Sequence, residues 1–431
     1  MFKIKTAIIY SFIAPIFIFA LAFSFPGCKE GPLQTTELEF WGVFDDSDVF
    51  NKLIADFNKE FPKTKVKYYK KQQATYENDL LEAMASGRGP DVFMIHHTWV
   101  PRYENKISVA PSDLVLLKDV QDNFVDVVYK DFVVNNRVVA IPLSVDTLAL
   151  YYNKDIFNTV GISNPPKTWK EFLDVLEKIT IKDDRDNIIR AGASLGAARN
   201  VNRSTDILSL LMIQTGAQMI DDKKSKTAFD EVVKINNESF YPGQEALEFY
   251  TNFANPLNPY YTWNTRMHYS IDAFYEGTTA MMFNYSYHLP TIRAKAPYLN
   301  FGVSKMPQIE SSEKDVNYAN YWGLTVSYNS KSSEKAWEFI NWLGQKENSK
   351  KYLEETKRPT ARRDLVDWQR NDKDVGVFAE QSLSAQSWYQ VNSPVIENIF
   401  ADMIESVVLG KETIRDAISK SSSQIDLLMK K

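Results

Sequence analysis

The sequence predicts an α/β protein of two lobes, and three observations carry that reading. Strands and amphipathic helices alternate from Glu37 to Ile95, which places a parallel sheet with helices on its faces. The 431 residues exceed one core, since domains usually hold roughly 100–200 residues. The apolar run from Ile141 to Asn153 is longer than the roughly five or six residues of a mean strand, so it reads as a passage between lobes.

The chain opens with a segment that lies outside the fold. Lys3 and Lys5 precede an apolar stretch from Ala7 to Phe25, followed by Pro26-Gly27-Cys28. A basic start, an apolar middle and a small-residue exit make a secretory signal over residues 1–27. The exit resembles a bacterial lipobox, with Cys28 as the lipidated residue and 28–36 as a tether; the alternative is an uncleaved single-span anchor. Either way the remaining chain is extracytoplasmic. Cys28 is the one cysteine, so no intramolecular disulfide is available.

Glu37-Leu38-Glu39-Phe40-Trp41-Gly42 alternates as a strand, and Phe50, Leu53, Ile54, Phe57 and Phe61 follow at helical spacing from a candidate cap at Ser47. Val66–Tyr69 is a second strand, Tyr76–Ser86 a second helix left through Gly87, and Pro90–Ile95 a third strand. Asn135-Asn136 turns a hairpin between Phe132-Val133-Val134 and Arg137-Val138-Val139. Thr168 and Glu171 form a capping box, with Phe172, Val175, Leu176 and Ile179 inward. Further helices are read at Ser204–Thr215, Pro242–Asn255, Ser270–Tyr275, from Ser333, at Pro394–Leu409 and at Glu412–Met429. Further strands are read at Ala280–Asn284, Phe301–Val303 and Tyr318–Val326.

Several of these segments resemble one family in order. They are Phe61-Pro62, Ser86-Gly87-Arg88-Gly89-Pro90-Asp91-Val92, Tyr151-Tyr152-Asn153-Lys154-Asp155, Pro165-Pro166-Lys167-Thr168-Trp169-Lys170-Glu171-Phe172 and Phe274-Tyr275-Glu276-Gly277-Thr278-Thr279-Ala280-Met281. Together they are similar to the extracellular solute-binding proteins of bacterial ABC importers, in the sugar-binding set of the maltose-binding type. The resemblance implies a periplasmic-binding-protein fold with discontinuous lobes, a multi-crossing hinge and a ligand cleft between lobes. It implies lobes of 37–144 plus 286–326 and 145–285 plus 327–431, with crossings near Ser144–Val145, Asn284 and Ser327; the residues themselves support the first. It also implies a carbohydrate ligand and membrane permease subunits as partners, with the chain acting as a monomer.

Composition narrows the chemistry. A net charge of −5 argues against a nucleic-acid partner, which wants a clustered basic surface. Four histidines and one cysteine make a metal site a poor fit, and no cofactor is expected. Asp183–Asn187 lacks the glycine and glutamate of a calcium loop. Gly192-Ala193-Ser194-Leu195-Gly196 has the form of a hydrolase nucleophile turn on Ser194, but the polar stretch Ala197–Arg203 follows where a helix should start. A catalytic role is therefore not expected, and a hydrolase using Ser194 stays as the minor alternative. A binding protein feeding a sensor is the other.

Aromatics reach 13%, more Tyr and Trp than a core needs, so some are free to line a pocket. A sugar offers hydroxyls in a plane and an apolar C–H face, and its site pairs flat aromatics with hydrogen-bonding side chains. Ligands of α/β sheets sit beyond the carboxyl ends of strands. That rule selects Trp41 and Asp45 after the first strand and His96, His97, Thr98 and Trp99 after the third. The long run supplies Asp146, a carboxylate among apolar neighbours that needs partners. Asn284, Tyr285 and Tyr287, Arg203 and Trp263, Tyr321 and Trp322, and Trp388 complete the set. Resemblance singles out Trp41, Asp146, Asn284 and Trp322. The plainer alternatives are core packing for Trp41, helix opening for Asp45 and backbone satisfaction for Asn284.

Overall fold

A computed structural model describes residues 35–235, 237–310 and 312–430. The signal segment, Cys28 and most of the tether lie outside the described residues. No helix among the described residues is long and apolar enough to cross a membrane.

The first sheet grows from the alternation at Glu37–Gly42. Strand Thr36–Gly42 pairs in parallel with Thr64–Lys70 on one side and Val92–His96 on the other. Leu38 and Phe40 are fully buried, and Phe40 meets Phe50 of helix Ser47–Glu60 edge-on at 4.9 Å. Ser47 is the first helical residue, and Asp46 takes the cap. Strand Trp322–Ser327 returns antiparallel against Val92–His96 and also carries Ile107–Ser108 and Ile141–Pro142. Gly323 is required there, because a Cβ would stand 2.7 Å from the Phe132 ring. The expected hairpin forms with Asn135 and Asn136 both left-handed (φ 50° and 58°), as a type I′ turn demands.

The second sheet has the order 181–182, 188–193, 279–284, 149–153, 301–304. Helix Trp169–Ile179 covers it with Trp169, Phe172, Val175, Leu176 and Ile179 buried. Thr168 caps it by accepting from the Glu171 N–H at 3.1 Å, while Glu171 reaches back to the Lys167 N–H at 2.7 Å. Each such apolar side chain contributes roughly 1.5–3 kcal/mol when fully buried.

A third, small sheet joins the lobes, in the order 385–386, 317–320, 146–147. The chain changes cores within it. Val145 packs in the first core and Leu148 in the second; Tyr318 packs in the second and Ala319 in the first; Ala385 touches the first and Trp388 the second. The long run at Ile141–Asn153 is thus three short strands, one in each sheet.

Two expected boundaries and two expected crossings need correction. Segment 286–326 does not return wholly to the first lobe, because Phe301–Ser304 pairs with Ala149–Asn153 in the second sheet. Segment 327–431 does not lie wholly in the second lobe, because Trp337, Ile340, Leu343, Tyr352 and Leu353 fill the first core. Asn284 ends a strand inside the second sheet and Ser327 ends one inside the first, so neither is a crossing. The reason is physical: amphipathicity says that a helix or strand faces a core, not which core.

Candidate functional site

Two cavities lie at the seam between the lobes. The smaller, about 340 Å³, takes Phe44, Gln73 and Trp322 from the first lobe, Arg203, Ser286 and Tyr287 from the second, and Ser144, Asp146 and Asn320 from the crossings, with Tyr321 and Arg358 beside them. The larger, about 640 Å³, takes His97, Thr98, Lys130 and Asp131 from the first lobe, Gln218 to Asp222 and Lys224 from the second, and Ser387, Trp388 and Tyr389 from the seam. His97 and Tyr321 stack at 4.8 Å and 6° between them. Both volumes fall in the range of small-molecule sites, roughly 300–1,000 Å³.

Chain direction explains the assembly. Phe44 follows the first strand, His97 the third, and Ser286 and Tyr287 the strand Thr279–Asn284, all at carboxyl ends. Trp322 opens an antiparallel strand and pairs with His96, which brings it to the same edge. Its indole stands edge-on to Phe44 at 5.3 Å, Trp99 at 4.9 Å and His96 at 5.2 Å, an aromatic wall on the first lobe. Burial and then the neighbouring His97 push the His96 imidazole well below its usual value, so it adds a neutral polar edge.

On the opposite wall Arg203 precedes helix Ser204–Gln214 in a left-handed conformation (φ 62°). That conformation costs a non-glycine residue about 1–2 kcal/mol, so neighbours must hold it. Arg203 donates from Nε at 2.9 Å and Nη2 at 2.6 Å to the Tyr287 hydroxyl, and Nη1 lies 3.9 Å from Asp206. Tyr285 and Tyr287 stack at 5.9 Å beneath the guanidinium.

Asp146 lies at the floor of the smaller cavity, buried, with four donors. Thr147 N–H at 2.9 Å and Ser286 N–H at 3.1 Å meet Oδ1; the Ser286 hydroxyl at 2.7 Å and Tyr287 N–H at 3.3 Å meet Oδ2. A carboxylate has about four acceptor sites, so the protein takes nearly all of them. Asp146 therefore staples the first crossing to the turn that carries Tyr287, at the positive start of the helical segment 286–295. Burial outweighs these donors and pushes its carboxyl up to about 6.

Arg358 donates to Asp45 from Nε at 3.2 Å and Nη2 at 2.8 Å, which leaves Nη1 without a protein acceptor among the described residues. Asp45 also accepts from the Tyr352 hydroxyl at 2.8 Å. The cavity thus combines flat aromatic faces with guanidinium and amide donors, each cation having its own carboxylate. Such a lining suits an uncharged polyhydroxylated molecule.

A family model for the bacterial extracellular solute-binding protein matches residues 42–350. The chain belongs to that family. Among the relatives of this solute-binding protein is the maltotriose-binding protein of Pyrococcus abyssi, 24% identical over 302 residues, which are 69% of this chain and 60% of that protein. Another is the galactooligosaccharide-binding protein of Bacillus subtilis, 24% identical over 394 residues, covering 90% and 88%. The sugar-binding protein MalE of Xanthomonas citri superposes with a TM-score of 0.76 at 20% identity, covering 91% of this chain and 97% of that one, a likeness of fold.

The solute-binding protein places its sequence-selected residues unevenly. Asp146, Arg203 and Trp322 line the smaller cavity and His97 and Trp388 the larger. Trp388 stacks on Phe400 at 5.6 Å and donates to the Ser209 hydroxyl at 3.3 Å. Asp45 and Tyr285 stand one layer behind, holding Arg358 and Asp206. Three residues are not in the cleft. Trp41 is buried in the first lobe under the Lys71 ammonium at 3.4 Å. Trp263 is 0% exposed and donates to Asn200 inside the second lobe. Asn284, also 0% exposed, donates to Asn202 and accepts from the Tyr285 N–H. Ser194 is 1% exposed, and its hydroxyl donates to the Met281 carbonyl rather than to a histidine, so it is not set up as a nucleophile. Phe44, Gln73, Asn320, Arg358 and Asp131 were not legible as site residues. Arg358-Pro359 sits just after a helix end, where a proline-stopped arginine offers the one available sign.

Proposed function

We propose that this solute-binding protein is the binding component of an ABC importer that holds a sugar or oligosaccharide between its lobes. The observation that carries the reading is the cleft lining: Trp322, Phe44 and Tyr287 offer faces for C–H surfaces, while Arg203, Arg358, Gln73 and Asn320 offer donors to hydroxyl oxygens. That two relatives are named for maltotriose and for galactooligosaccharide supports the same ligand class. A second cavity beyond the His97–Tyr321 stack gives room for further sugar units. Contacts from both lobes favour the closed state when ligand is present. The three-stranded seam 385–386, 317–320, 146–147 is the hinge. A membrane permease then receives the ligand from the closed form. Lipidated Cys28 anchors the monomer to the outer face of the membrane.

Calorimetry and tryptophan fluorescence against a panel test the ligand class. The panel holds maltotriose, galactooligosaccharides, glycerol phosphate, peptides and polyamines. A saturable response to sugars is expected. Silence across the sugars with a response elsewhere would sink the sugar reading. Cys28→Ala should release the protein from the membrane fraction; unchanged retention would remove the lipid anchor.

A further inference from the structure

One carboxylate outside the smaller cavity gathers three elements. Asp131 lies on helix Asp126–Phe132 of the first lobe. Its Oδ2 accepts from the Tyr321 hydroxyl at 2.8 Å and lies 3.1 Å from His97 Nδ1; its Oδ1 accepts from the Ser387 hydroxyl at 2.6 Å. Tyr321 follows the crossing at Tyr318–Ala319, and Ser387 stands between Ala385 of the first core and Trp388 of the second. Both donors therefore come from places where the chain turns from one lobe to the other. Lys130 adds a neighbouring bond, to the Gln386 side chain at 2.9 Å.

We propose that Asp131 is a positioning residue that latches the closed arrangement of the lobes, a role that rests on the hinge-closure reading above. Opening must turn the backbone near Ser387, because residues on its two sides belong to different cores. The Ser387 hydroxyl is bonded to a helix that moves with the first lobe, so the turn pulls that bond apart. The same carboxylate holds His97 and Tyr321, the stack between the two cavities. Asp131 thus links the posture of the cleft floor to the angle of the seam. A hydrogen bond to a charged acceptor is worth about 10- to 150-fold in an equilibrium, enough to reset the balance of two states.

The test needs no ligand. Spin labels on exposed sites of the two lobes report the distance distribution of the free protein by pulsed electron resonance. Asp131→Ala and Ser387→Ala are each expected to lower the closed-to-open ratio by at least about tenfold, and the double variant little further than Asp131→Ala alone, because that change already removes the Ser387 bond together with the contacts to Tyr321 and His97. Circular dichroism melting checks that each variant folds. Distributions identical to wild type in folded variants would overturn the latch. So would a wild-type protein found wholly open, since nothing would then be held. Fully additive effects of the two changes would overturn the shared bond. The sugar panel is a separate measurement: silence there with a working latch defeats the ligand reading alone.

Discussion

Replacing Asp146 by asparagine removes a buried charge while keeping its volume. Two effects compete at this residue. Four donors and the start of the 286–295 helical segment favour the carboxylate, and burial disfavours it. Burial wins, raising the carboxyl from 3.8 to about 6. A carboxyl raised on folding contributes stability that is present below its unfolded value and lost as pH rises through its folded value. At about 1.36 kcal/mol for each pKa unit, the full loss is roughly 3 kcal/mol, of which roughly 2 kcal/mol falls between pH 4.5 and 7. Asp146→Asn has no such group. Its stability relative to wild type should therefore improve by about 2 kcal/mol on going from pH 4.5 to pH 7. Urea denaturation of both proteins at both pH values gives this double difference, and whatever the amide does to the local geometry cancels from it. A double difference of zero, or one of opposite sign, would refute the reasoning. Opposite sign would mean that the donors depress the carboxyl and that Asp146 acts as a plain cap.

Other outcomes follow from the same geometry. Trp322→Ala should weaken sugar binding by at least tenfold, since an aromatic face contributes about 0.5–1.5 kcal/mol beyond the area it covers; unchanged affinity in calorimetry would take Trp322 out of the site. Asp45→Asn should cost about 2–3 kcal/mol in chemical denaturation, below the 3–5 of a fully buried broken pair, because the Arg358 side chain keeps 28% exposure. It should also loosen ligand binding by freeing Arg358. Loss of less than half a kilocalorie would mean that Tyr352 and solvent hold the arginine without it. Asn136→Val puts a β-branched residue at φ 58° and should cost about 1–2 kcal/mol; a neutral change would show that the hairpin bends to another turn.

Much of the fold is written in local pattern. Asn135-Asn136 turns because asparagine tolerates left-handed backbone, and Thr168 caps because its hydroxyl can meet the Glu171 N–H. Both demands are met within a few residues, so the sequence displays them. The carboxyl-end rule selected His97, which lines the larger cavity, for a similar reason: strand direction is local, and it decides which ends face the cleft. The rule overreached at Trp41, which serves the first core, and Trp263, proposed from its aromatic loop, is core in the second.

The sequence by itself pointed to two lobes, to a first crossing near Ser144–Val145 and to a carboxylate standing there that needs partners. Tertiary structure alone decided which core owns Phe301–Ser304 and the 333–356 helices, because an apolar stripe carries no address. It also decided what Asp146 does. Its four donors come from Thr147 next door and from Ser286 and Tyr287, some 140 residues away in sequence, and pairing at that distance exists only once strands Ala149–Asn153 and Thr279–Asn284 lie side by side in the second sheet.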